Sequence, residues 1–233
     1  VSTSTQPVLR GVKACVFDAY GTLFDVSSVA HGAQDALGER WHALSDLWRT
    51  KQLQYSWLRS LTDQHADFWQ ITGDALDFAL ATLHIQDKAL RERLLHMYLA
   101  IKPYAEVAET LTRLRQAGEK LVILSNGTPV MLQAAVKNAG LEGIFDAVLS
   151  VEEVGVFKPH PLVYQLATDR LDIRREEICF LSSNGWDAYS AKAYGFQVVW
   201  CNRFNQSPEH LPSPPDAQIK TLDDLPALIA RSA

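Results

Sequence analysis

The decapeptide Ala14-Cys15-Val16-Phe17-Asp18-Ala19-Tyr20-Gly21-Thr22-Leu23 sets the reading of the chain. Four consecutive apolar residues without alternation read as a strand covered on both faces, the habit of a parallel sheet. The run stops at a carboxylate, and Gly21-Thr22 supplies turn chemistry just beyond it. Outward from this segment, similar apolar runs recur at 121–124, 147–149, 178–181 and 198–201. Helical patterns lie between them. Val107, Leu111 and Leu114 keep i, i+4, i+7 spacing, and Gly118 stops the pattern. Thr128-Pro129 sets an N-cap ahead of a proline at the first helical position, with Gly140 closing the segment. Residues 162–171 and 188–194 repeat the rhythm, and 225–230 adds a short last helix. This alternation predicts an α/β fold, a doubly wound, Rossmann-like parallel sheet.

Residues 27–103 break the rhythm. They contain no strand run but carry helical repeats, first Trp41, Leu44, Leu47, Trp48, Leu53, Trp57, Leu58 and Leu61. A second set comprises Phe78, Leu80, Leu83, Leu90, Leu94, Leu95 and Tyr98. The stretch reads as a helical cap inserted into a core made of 11–26 and 104–233. Residues 207–215, with four prolines, read as a surface loop.

The 233 residues are 47% hydrophobic and 21% charged, which excludes a disordered or collagen-like chain. Lysine and arginine number 22 against 27 acidic residues, a formal charge of −5, with no basic cluster. That balance argues against nucleic acid or an anionic membrane surface as partner. No apolar stretch is long enough to cross a bilayer. Cys15, Cys179 and Cys201 sit in apolar runs and read as buried thiols. Residues 1–11 lack the apolar segment of a secretory signal, so a cytoplasmic protein is expected. No HxxxH, HExxH, P-loop or dinucleotide fingerprint occurs, and no nucleotide cofactor is implied.

In an open α/β sheet, ligands bind beyond the carboxyl ends of the strands, near the switch in strand order. The residues that follow the predicted strands are Asp18, Ser125-Asn126, the segment Gly155-Val156-Phe157-Lys158-Pro159, and Ser182-Ser183-Asn184. A carboxylate, hydroxyls, amides and a cation thus collect at one sheet edge. Asp18-Ala19-Tyr20-Gly21-Thr22-Leu23 resembles the first motif of the haloacid dehalogenase superfamily, whose strand-ending aspartate is a nucleophile. Ser125-Asn126 resembles the second motif, Lys158-Pro159 the third and Ser182 to Asp187 the fourth, in family order. Two features select a branch. The superfamily's magnesium phosphatases carry a second aspartate where this chain has Tyr20, to protonate a leaving alkoxide; a halide needs no proton. Mg²⁺ also wants several oxygen ligands, and the fourth segment offers one carboxylate, Asp187. The sequence therefore resembles the metal-independent L-2-haloacid dehalogenases, and the stretch from Trp48 to Ser60 resembles their cap helix.

The resemblance implies attack by Asp18 on C2 of a small halogenated carboxylic acid, a short L-2-haloalkanoic acid. Halide leaves, and water hydrolyses the resulting aspartyl ester. Lys158 holds Asp18 ionised and meets the anionic substrate. Thr22 orients Asp18, although a plain turn hydroxyl fits the sequence as well. Ser125 and the N–H groups of Ala19 and Tyr20 bind the substrate carboxylate, while Arg49 and Asn126 cradle the halide. Ser182, Asn184 and Asp187 position and activate the water; the alternative for Asp187 is the N-cap of a helix starting at Ala188. Tyr164 matches a family tyrosine near the lysine, or else is a core aromatic. Tyr20, Leu53, Phe68 and Trp186 line an apolar pocket, with Arg49 and Leu53 on one helix face by their i, i+4 spacing. Phe157 stands where the branch often has tyrosine. The seven histidines read as structural or surface residues. The resemblance implies no cofactor and no metal, and a homodimer is expected from it.

Overall fold

The computed structural model describes residues 9–229. The expectations on residues 1–8, and on residue 230 at the end of the last helix, lie outside the described residues. Six parallel strands form one sheet: β1 (Ala14–Phe17), β2 (Lys120–Ser125), β3 (Ala147–Ser150), β4 (Ile178–Ser182), β5 (Gln197–Cys201) and β6 (Ala217–Ile219). Their spatial order is β3-β2-β1-β4-β5-β6, so the chain reverses its direction of build beside β1. Every residue of β1 and β4 is buried, as expected for central strands covered on both faces. At the edge, β3 leaves Val148 exposed. Phe17 is level with Ile123 of β2 and Leu181 of β4. That register brings Asp18, Ser125 and Ser182 to the same end of adjacent strands.

The five expected strands all form. The sixth, β6, follows the proline-rich loop and was not expected, because three residues with only Ile219 buried make no apolar run. Cys15 and Cys179 are directly opposite one another across β1 and β4, and all three cysteines are buried free thiols.

Six helices lie between β1 and β2, and the first five are α1 (Ser27–His31), α2 (Gln34–Leu37), α3 (Arg40–Leu61), α4 (Phe68–Thr82) and α5 (Lys88–Leu99). The apolar repeats from Phe78 to Tyr98 span two of these. A break at Leu83 to Asp87, with His84 at φ +54°, separates them. Each new helix starts on a carboxylate cap: Asp67 accepts from the Gln70 N–H at 2.8 Å, and Asp87 from the Leu90 N–H at 2.9 Å. Helix α3 packs along α4, with the Trp48 indole donating to the Thr72 carbonyl at 2.9 Å. The segments entering and leaving this region are tied to each other. Asp25 N–H donates to the Lys102 carbonyl at 2.9 Å and Tyr104 N–H to the Leu23 carbonyl at 3.0 Å.

The remaining helices are α6 (Val107–Gln116), α7 (Pro129–Asn138), α8 (Pro161–Leu171), α9 (Gly185–Tyr194) and α10 (Leu225–Leu228). The expected start of α7 holds: Thr128 Oγ1 accepts from the Met131 N–H at 3.2 Å, with Pro129 behind it. Helix α9 begins three residues before Ala188, with Asn184 in extended geometry as its cap residue. Asp187 is therefore a first-turn residue, not an N-cap, and its carboxylate is free to turn inward.

Candidate active site

At the carboxyl edge of β1, Asp18 is 6% exposed. Its Oδ2 accepts from Thr22 Oγ1 at 3.0 Å, Asn184 Nδ2 at 2.9 Å and, at 3.4 Å, Ser182 Oγ. Among the described residues its Oδ1 accepts from Lys158 Nζ alone, at 3.0 Å. One oxygen is crowded with donors while the other keeps a free lone pair. Thr22 is no loose turn hydroxyl, since its Oγ1 also accepts the Ser183 N–H at 2.8 Å and locks the first loop to the fourth. The loop itself folds back on the Ala19 carbonyl, which receives the N–H groups of Thr22, Leu23 and Phe24. Gly21, at φ +92°, permits this turn. Among the described residues the N–H groups of Ala19 and Tyr20 meet no acceptor and remain available to an anion.

Lys158 is 1% exposed and stands between two carboxylates, Asp18 and Asp187, the latter at 2.9 Å. Burial opposes its charge, yet Asp18 and Asp187 together carry its pKa above the ordinary lysine value. Its backbone N–H donates to Asn126 Oδ1 at 3.0 Å, which fixes Asn126 as well. Asp187 is fully buried; burial raises its pKa, with Lys158 pulling the other way. Its Oδ1 accepts from Tyr164 OH at 2.7 Å. Burial and then Asp187 hold the Tyr164 phenol well above its ordinary value, so it stays a donor. The expected grouping of Asp187 with Ser182 and Asn184 is looser than the sequence suggested. Asp187 bonds Lys158 and Tyr164, whereas Ser182 and Asn184 bond Asp18.

Ser125 is buried, and its Oγ accepts the Gly127 N–H at 3.1 Å, so the turn role and the site position coexist. Arg49, on α3, donates through Nη1 to Gln52 Oε1 at 2.8 Å and through Nη2 to Asn184 Oδ1 at 3.3 Å. Asp18, Arg49, Ser125, Asn126, Lys158 and Asn184 share a cavity of about 10 Å³ with Tyr20, Leu53, Phe68 and Trp186. That is room for roughly one water. Thr22, Tyr164, Ser182 and Asp187 stand behind this wall. All the expected site residues thus converge. Burial raises the Tyr20 phenol well above its usual pKa, which makes it a poor acid.

Some neighbours were not among the expected site residues. A Cβ on Gly127 would stand 2.7 Å from the Tyr20 ring, so only glycine leaves room for that wall. Phe157 packs against Phe68 with centroids 5.9 Å apart and stacks on His65 at 5.1 Å. Glu152 accepts from the Phe68 N–H at 3.2 Å and pairs with His65 at 2.9 Å. Gln52 did leave a trace, as a polar residue in the buried 44-48-52-56 register of α3.

A second, open cavity of about 360 Å³ shares Arg49 and Asn184 with the first and is also lined by Ser45, Asp46 and Phe204. A larger groove, about 1100 Å³ near Val12, Gly118 and Ile229, opens at the opposite end of the strands from Asp18. Among the described residues no group of three or more His, Cys, Asp or Glu side chains is placed to hold a metal ion. Among the same residues no helix is long and apolar enough to cross a membrane.

Comparison with known proteins agrees with this geometry. Residues 12–195 match the haloacid dehalogenase-like hydrolase family. The chain is 46% identical to (S)-2-haloacid dehalogenase 4A of Burkholderia cepacia, over 97% of this chain and 98% of that protein. A solved structure of a dehalogenase with an intermediate complex superposes with a TM-score of 0.94 at 45% identity, covering 96% of this chain and 100% of the other. The L-2-haloacid dehalogenase of Xanthobacter autotrophicus with chloropropionic acid covalently bound gives a TM-score of 0.87 at 41% identity, covering 93% and 98%. The six-stranded parallel sheet, the aspartate at the end of its central strand and these matches together show that the chain belongs to the haloacid dehalogenase-like hydrolases.

Proposed function

We propose that the protein hydrolyses the carbon–halogen bond of short L-2-haloalkanoic acids, giving (R)-2-hydroxyacids and halide. The observation that carries this reading is the Lys158 ammonium between Asp18 and Asp187, beside a position two residues past Asp18 held by a neutral, buried Tyr20. The Lys158 ammonium pairs with Asp18 at 3.0 Å, and Tyr20 puts no second carboxyl beside it to protonate a leaving group, which suits one that departs as an anion.

In the first step Asp18 Oδ1, the oxygen with the free lone pair, attacks C2 from the side opposite the halogen. The C–O bond forms as the carbon–halogen bond breaks, halide leaves with the bonding pair, and C2 inverts. The substrate carboxylate lies against Ser125 and the free N–H groups of Ala19 and Tyr20, while Arg49 and Asn126 receive the halide. Tyr20, Leu53, Phe68 and Trp186 enclose the alkyl group and keep bulk water out. In the second step water attacks Cγ of the ester. Asp187, the buried carboxylate with raised pKa, takes the proton. Tyr164 orients it, and Thr22, Ser182 and Asn184 hold the Asp18 carboxyl group. Cleavage of the Cγ–O bond expels the alkoxide, which takes the proton back from Asp187 and leaves as the hydroxyacid, while the second water proton passes to solvent and Asp18 is regenerated. No step calls on a metal or an organic cofactor.

The insert 27–103 is proposed as a cap over the core formed by 11–26 and 104–233. It supplies Arg49, Leu53 and Phe68 to a site whose nucleophile belongs to the core. The protein is proposed to act in the cytoplasm as a homodimer. Leu58, Leu61 and Phe78, exposed on α3 and α4, offer apolar area for such a contact.

The deciding experiment measures halide release from separate L- and D-2-chloropropionate in EDTA, for wild type and Asp18→Asn. Chloride from the L enantiomer alone, abolished in the variant, is the expected result. Silence on both enantiomers with Mg²⁺-dependent release of phosphate from phosphate esters would replace this reading with a phosphatase.

A further inference from the structure

Gln52 is 1% exposed, on the apolar stripe of α3 between Trp48 and Ser56. A leucine would fill that place without needing any polar partner, whereas a buried amide costs stability unless it is fully bonded. Here it is bonded on every side. Nε2 donates to Thr72 Oγ1 on α4 at 2.8 Å and to Tyr98 OH on α5 at 3.1 Å. Thr72 Oγ1 in turn donates to the Phe68 carbonyl at 2.6 Å. This frame of three helices fixes Oε1, and Oε1 faces Arg49 Nη1 at 2.8 Å.

Arg49 needs such a hold. Its other tether, to Asn184, is long at 3.3 Å. Among the described residues these are its side-chain partners, and neither is a carboxylate. Arg49 lines both the inner cavity and the open outer one, and the outer one is also lined by Asp46. Asp46 precedes Arg49 by three residues on the same helix, a spacing that allows an ion pair pointing away from the reaction.

We propose that Gln52 is the positioning residue of the Arg49 guanidinium, a neutral acceptor that holds it inward against the pull of Asp46. The neutrality is the point. A glutamate would hold the group as well but would cancel the charge that meets the anion, whereas an amide fixes the position and leaves the charge available to halide or carboxylate. The inference rests on the proposal that Arg49 receives the anion in a dehalogenation.

The test compares Gln52→Leu, Gln52→Glu, Asp46→Asn and Gln52→Leu/Asp46→Asn for turnover of L-2-chloropropionate and for inhibition by chloride. Gln52→Leu is expected to lower kcat/KM by roughly 10²-fold, the scale of a misplaced contact group. Adding Asp46→Asn should recover about two- to threefold, as suits an exposed i, i+3 pair, while Asp46→Asn alone changes nothing. Gln52→Glu should raise KM and weaken chloride inhibition by at least about tenfold. A folded Gln52→Leu with wild-type kcat/KM would overturn the proposal, and so would wild-type KM and chloride inhibition in Gln52→Glu. That near-isosteric variant carries the test if Gln52→Leu does not fold. An absence of recovery in the double variant overturns the pull of Asp46. Should the wild type release no halide at all, the functional reading has failed. A crystal structure of Gln52→Leu then still decides the positioning role: a guanidinium turned to Asp46 supports it, and an unmoved one refutes it.

Discussion

Asp18, Lys158 and Asp187 make a buried group of two carboxylates and one ammonium. Removing Asp187 leaves Lys158 paired one-to-one with Asp18, so Asp187→Asn is expected to fold and to retain its nucleophile. Ester formation should proceed and hydrolysis stall; mass spectrometry after brief exposure to L-2-chloropropionate should find the covalent adduct on Asp18. The pH dependence follows from the direction of the shift. Burial lifts Asp187 above the ordinary aspartate value, so the base takes up a proton earlier as pH falls. The acid limb of the hydrolysis step should therefore lie above 3.8. Lys158 is shifted above 10.5, so any alkaline loss below that value belongs to another group. An acid raised in the fold favours the native state while protonated and withdraws that support as pH climbs through its native pKa. At neutral pH, Asp187→Asn should therefore have a Tm no lower than wild type, read by thermal unfolding. A marked fall in Tm would mean that the ionised carboxylate is a net structural support.

At the level of elements, the strand ends and helix starts are legible because each has a local cause. Asp18 follows four apolar residues, and Thr128-Pro129 is a cap by its own chemistry. The start of α9 is less legible, since Asn184 spends its side chain on Asp18 rather than on the helix, leaving no capping hydrogen bond to betray the boundary. The start of α4 has a second support beyond its Asp67 cap. Glu152, from the single-turn 3₁₀ segment after β3, accepts the Phe68 N–H and pairs with His65. Glu152→Ala is expected to cost about 1 kcal/mol in urea unfolding, the scale of a lost first-turn acceptor. It should also raise KM more for 2-chlorobutyrate than for chloroacetate, because Phe68 is a wall of the cavity. Equal KM changes for both acids would mean that the tie does not reach the wall.

At the level of the whole molecule, the proposed dimer carries its own test. Leu61 is 83% exposed and Leu58 55% exposed on the outer face of α3. Sedimentation velocity should find a dimer that Leu61→Glu converts towards monomer, because an apolar contact does not absorb an unpaired carboxylate. A monomeric wild type would reject the assembly while leaving the site intact. What could be read from the chain alone is whatever has a local origin: continuous apolar runs that call for two-sided burial, helical spacing, caps, and the residue placed after each strand. Those features suffice for the α/β class, for a helical insert after β1 and for the inventory of Asp18, Ser125, Lys158 and Asn184 at one edge. Partnership is another matter, because it depends on register and on contacts between residues far apart in sequence. Asp187 faces Lys158 and Tyr164 rather than Ser182 because α9 starts at Gly185 and turns its first residues inward. Gln52 grips Arg49 because α4 and α5 bring Thr72 and Tyr98 against α3. Such pairings arise only when elements pack, and packing is a property of the assembled core rather than of any segment of it.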